Sequence, residues 1–172
     1  MDGVNRVFLF HSDNGFVHAF VGPTPADVAA EIQQQTDIAK PNVGIEFFDT
    51  TGQRLAPEFG PDWTWKTLQR TADDPDPELL RRRLQAWVDH VSGHLRKEPV
   101  WLHEYLTKFG DIWVSQESPG QALARVLDGL PQPDDESIDD CFKNLQRQVG
   151  HPFFHVADPL HNLWHLLGGT HS

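Results

Sequence analysis

The 172 residues include one cysteine, one methionine and one tyrosine. Cys141 has no second cysteine to pair with, so an internal disulfide is excluded and a reducing compartment is expected. Basic residues are scarce as well. Fourteen Lys and Arg stand against 25 Asp and Glu, a formal net charge of −11. That deficit disfavours nucleic acid, whose phosphates are held by Lys and Arg. No stretch approaches the ~18 consecutive apolar residues of a membrane span. Residues 1–10 lack the apolar segment and small-residue cleavage site of a signal peptide. A soluble, cytoplasmic chain with neither nucleic acid nor membrane as partner is expected. Also missing are a Gly-x-Ser-x-Gly elbow, a phosphate loop, a Gly-x-Gly-x-x-Gly turn and a Cys-x-x-Cys pair. The most readable enzyme classes go with them, and no residue is assigned a catalytic role.

What is present suffices for a core. Hydrophobic residues make up 38%, with eleven Phe and six Trp, and the length fits a single compact α+β domain over 1–172. The clearest local signal is a recurring dipeptide. Thr24-Pro25, Asp76-Pro77, Ser118-Pro119 and Asp158-Pro159 each precede a helical pattern. The side-chain oxygen caps a backbone N–H, and proline takes the first helical position, where its missing N–H costs nothing. Ser118 and Gln121 have the spacing of a capping box.

Ahead of the first helix, 7–10 and 16–20 read as strands around an Asn14-Gly15 hairpin turn. After it, 43–48 and 54–59 read as two more. Residues 1–59 thus predict a ββαββ unit: a small antiparallel sheet with one packed helix. Residues 60–76, rich in Pro and Asp, read as a connector. Residues 77–172 predict a mainly helical layer, broken at Pro99, with helices over 119–127, 135–149 and 159–167 and a short strand at 112–114.

Ten histidines invite a metal reading. His90/His94 and His161/His165 are spaced so that two imidazoles share one helix face, as metal ligands do, with His155 as a further ligand. Zinc is the cofactor under this alternative, and none otherwise. His151/His155 spans Pro152 after the Gly150 helix stop, so its spacing has no helical meaning. Asn162 stands where a zinc hydrolase places its glutamate base, which removes hydrolysis on that plan. Protonating all ten histidines would bring the formal charge from −11 to −1, so charge-driven behaviour is expected to depend on pH just below neutrality.

Two charge clusters remain. Asp134, Asp135, Glu136, Asp139 and Asp140 crowd one helix start, where the helix dipole favours acids. Arg81, Arg82 and Arg83, with Arg96 and Lys97, form a basic patch. Both serve a protein partner equally well, and the two together permit homo-oligomers. Trp63 and Trp65 either cap the core or offer an aromatic contact. Cys141 falls on the apolar stripe of its helix and reads as a buried structural thiol. The expected function is a non-catalytic protein-interaction module, an adaptor or an inhibitor of a basic partner such as a toxin. The alternative is a divalent-metal protein built on the histidine pairs.

Overall fold

A computed structural model describes residues 6–11, 17–35, 44–108 and 116–148 of the chain. They form a mixed α+β protein, grouped into one compact unit ending at Arg83 and another beginning at Leu84. No helix among the described residues is long and apolar enough to cross a membrane.

The first unit holds strands β1 (Arg6–His11), β2 (Val17–Val21), β3 (Ile45–Asp49), β4 (Arg54–Phe59) and β5 (Trp65–Arg70). Every pairing is antiparallel, in the order β2-β1-β3-β4-β5. The element order is therefore ββαβββ rather than ββαββ. The residues taken for a connector contain a fifth strand. A bulge hid it: Glu58 faces Thr67 while Phe59 faces Trp65, so Lys66 is one residue too many for the ladder. Trp65 and Leu68 both turn inward at a spacing of three, which breaks the alternation by which a strand is read.

Both faces of the sheet are apolar. On one, Val7, Leu9, Phe20, Phe47, Leu55, Trp65 and Leu68 pack with Val28, Ala29 and Ile32 of helix α1 (Pro25–Gln35). On the other, Phe8, Phe10 and Phe48 are buried, with Phe10 edge-on to Phe48 at 5.9 Å. This explains the unbroken apolar run of β1, a central strand whose two faces are both covered. Glu46 ties the second face to the next helix. Its carboxylate lies 3.2 Å from Arg54 and 2.9 Å from Arg83, in the first turns of α2 (Pro77–Lys97).

A polar turn links β3 to the chain that enters α2. The buried Asp49 carboxylate accepts from the backbone and hydroxyl of Thr51 and from the backbone of Gln53. The Gln53 amide donates to the carbonyls of Arg54, Thr71 and Asp73. The Asp76 N–H donates to the Gly52 carbonyl at 3.0 Å. Asp76 then caps α2 by accepting from the Leu79 N–H at 2.9 Å.

The second unit contains the rest of α2, with Leu84, Trp87, Val88, Val91 and Leu95 buried along one stripe, and helices α3 (Pro99–Lys108), α4 (Pro119–Asp128) and α5 (Ile138–Gln148). The Thr24, Asp76 and Ser118 caps are all formed, and Ser118 and Gln121 make the full capping box. Helix α5 begins at Ile138, three residues after the expected start at Asp135. Ser137 caps it, accepting from the Asp140 N–H and donating to the Asp140 carboxylate. The Asn14-Gly15 turn, the strand at 112–114, the Asp158 cap and the helix at 159–167 lie outside the described residues.

Two glycines predict opposite stability effects. Gly52 has φ of +85°, and a Cβ there would meet Asp76 and Pro77 backbone at 2.5 Å. Gly93 lies inside α2 with open space around it. Urea unfolding should show Gly52→Ala destabilised by more than about 2 kcal/mol. Gly93→Ala should be stabilised by about 0.5–1 kcal/mol, because it relieves a mid-helix glycine.

Candidate functional site

Helix α2 carries His90 and His94 one turn apart, beside its buried stripe. His90 is exposed and His94 half-buried. The pair offers two of the ligands that a zinc site needs. Among the described residues no group of three or more His, Cys, Asp or Glu is arranged to hold a metal. His155, His161 and His165 lie outside the described residues. Another histidine has a structural partner: the His103 ring nitrogen Nε2 is 2.9 Å from the Glu117 carbonyl, which makes it the donor and joins α3 to the residue before the α4 cap.

The acidic stretch divides in two. Asp139 and Asp140 occupy the first turn of α5, where the helix dipole and the Ser137 hydroxyl account for them. Asp134, Asp135 and Glu136 lie before the cap, in turns closed by the Asp135 and Glu136 N–H groups on the Gln132 carbonyl. Asp134 and Asp135 are exposed. Lys143, one turn into the helix, stands 3.9 Å from Asp139 and 3.7 Å from Asp140. Glu136, Asp140, Lys143 and Gln146 line an open depression of about 810 Å³.

The basic patch is smaller than its sequence suggests. Arg83 is engaged with Glu46 through both Nε and a terminal nitrogen. Arg82 is exposed and Arg81 half-buried. Of the two tryptophans in the Pro-rich segment, Trp65 is 4% exposed and belongs to the core, while Trp63 is 57% exposed. Sequence spacing does not separate them, because the turn between β4 and β5 sends them to different environments. Asp62, beside Trp63 and exposed, carries no motif that would single it out.

No family model matches the chain, and neither does any curated protein or solved structure.

Cys141 is fully buried, and its thiol donates weakly to the Glu136 carboxylate at 3.8 Å. A reactive thiolate needs access and positive neighbours, and this one has a carboxylate. An aromatic disulfide reagent should modify it at least about a thousandfold more slowly in the native protein than in denaturant, since reaction must await opening of the core. Comparable rates in the two states would remove Cys141 from the interior.

Proposed function

We propose that this chain is a non-catalytic protein-interaction module, an adaptor or inhibitor that engages a basic partner protein, neutralisation of a toxin being one such role. One observation carries this reading. Asp134 and Asp135 are exposed acids in a turn ahead of the Ser137 cap, where the needs of the helix do not explain them. A helix dipole acts within its first turn, and an N-cap needs one oxygen. Charge beyond those needs remains available to a partner.

The depression beside these residues supports the reading. Its Glu136 and Asp140 carboxylates adjoin the exposed turn, and Lys143 supplies a counter-charge that favours one orientation of an approaching ion pair. The overall charge of −11 adds long-range attraction for a basic partner and repels acidic ones. Charges at the rim of such an interface change on-rate and salt dependence more than the intrinsic fit.

The test uses untagged protein coupled as bait. A basic protein should be captured from native extract at low salt and released at about 0.5 M NaCl, where the Debye length falls below ~5 Å. The double variant Asp134→Asn, Asp135→Asn should lose capture severalfold with an unchanged melting temperature. Absence of any partner above background at low salt, or capture indifferent to the double variant, defeats the proposal.

A further inference from the structure

The turn between β4 and β5 places a bulky aromatic where the backbone calls for glycine. The Gly60 N–H donates to the Thr64 carbonyl at 2.8 Å, closing the loop, and within it the Thr64 N–H donates to the Pro61 carbonyl at 3.4 Å, closing a single 3-10 turn over Pro61–Trp63. Inside it, Asp62 and Trp63 have φ of 58° and 60°. Left-handed backbone is disfavoured for any L residue and most for a large one, because Cβ approaches the following carbonyl. Burial does not offset that cost, since Trp63 is more than half exposed.

The ring is nevertheless held. Phe47 meets Trp65 at 5.9 Å, Trp65 meets Phe59 at 4.9 Å, and Phe59 meets Trp63 at 5.6 Å, each edge-to-face. A series of four rings runs from the sheet core to the tip. It steadies the last indole, which lowers the side-chain entropy that binding would cost, as an interface anchor requires. Backbone strain combined with an exposed, pre-positioned aromatic marks a contact residue rather than a packing residue.

The surrounding charge selects the occupant. Asp62 is exposed next to the indole, and Glu58 pairs with Lys66 at 3.4 Å, which offsets the nearest ammonium. An indole face attracts cations more strongly than any other aromatic ring, and guanidinium stacks on it with less loss of hydration than ammonium. We propose that the Gly60–Thr64 tip, with the Trp63 ring and the Asp62 carboxylate, is a docking site for an arginine side chain of a basic polypeptide. The site lies in the sheet unit and stands independently of the acidic turn before α5.

The probe is a blocked hexa-arginine peptide, titrated calorimetrically into the full chain at low salt, with hexa-lysine and an uncharged Gly-Ser peptide for comparison. Hexa-arginine should bind more tightly than hexa-lysine, and the uncharged peptide should not bind. Trp63→Gly and Trp63→Leu should each weaken arginine binding by about threefold to fivefold. Asp62→Asn should weaken it less. The melting temperature of Trp63→Gly should stay within about 2 °C of the parent or rise, because glycine relieves the left-handed backbone. Retained arginine affinity in Trp63→Leu overturns the proposal, as does equal binding of arginine and lysine peptides. A Trp63-dependent blue shift with phosphatidylcholine vesicles would assign the tip to a lipid surface and overturn it too. Asp134→Asn, Asp135→Asn should keep the Trp63 dependence, so failure at the tip and failure of the acidic turn are read separately.

Discussion

The sheet unit depends on one buried carboxylate. Asp49 is 5% exposed and ends β3, where an unsatisfied charge would cost several kcal/mol. Three donors from Thr51 and Gln53 and the Arg70 guanidinium at 3.6 Å meet it. Satisfying the charge forces the chain into a tight turn with Gly52 left-handed at its corner. That turn in turn exposes the Gly52 carbonyl to the Asp76 N–H and aims the Gln53 amide at the strand of chain leaving β5. Two amide hydrogens are shared among three carbonyls, so the segment from Thr71 to Asp73 is gathered by one side chain. The start of α2 is thereby fixed by polar contacts that lie ahead of Leu80, its first buried apolar side chain. A cavity in the core would weaken the fold, but a broken turn here would misplace where the helix begins.

What could be read in advance follows the range of the interaction responsible. The caps at Thr24, Asp76 and Ser118 join groups three residues apart, and their sequence signature is complete in itself. The apolar stripe of α2 is legible for the same reason. Strand β5 is not, because its inward pair Trp65 and Leu68 acquires meaning only when Lys66 is bulged against β4. The start of α5 was obscured by its acids: Asp135 is itself a good cap residue, and only the fold shows that Ser137 and Asp140 form the reciprocal pair. For the candidate site the limit is exposure. Trp63 and Trp65 are near-identical in sequence context, and tertiary structure alone separates a core ring from a surface one. The metal reading rested on convergence of helices, a long-range property, and two of its three elements lie outside the described residues.

Charge makes a similar distinction between residues with a structural task and residues without one. Asp27, Asp76 and Asp140 serve caps. Glu46 bridges two arginines, and Glu117 holds Arg125 at 3.0 Å while its carbonyl meets His103. Each such residue is explained by its neighbours, and its charge need not be explained again by a partner. The net charge of −11 therefore overstates the binding surface. Among the described acids to which neighbours give no such task are Asp134 and Asp135, in the turn ahead of α5, and Asp62, beside an indole in the sequence.

The turns of the sheet unit allow a direct comparison. At Gly44 and Gly52 the backbone takes φ of 101° and 85°, and glycine meets that demand at no steric cost. At 62 and 63 the same demand is met by aspartate and tryptophan. A chain that places glycine at two left-handed positions is not short of the residue, with thirteen in its sequence. Sequences that fold well agree across local preference, turn chemistry and packing, and a departure from agreement falls where something other than folding is served. Here local preference and exposure both oppose the indole, although the ring packs edge-on to Phe59. An exposed aromatic is common; what sets this tip apart is a backbone that would be easier to form without the ring above it.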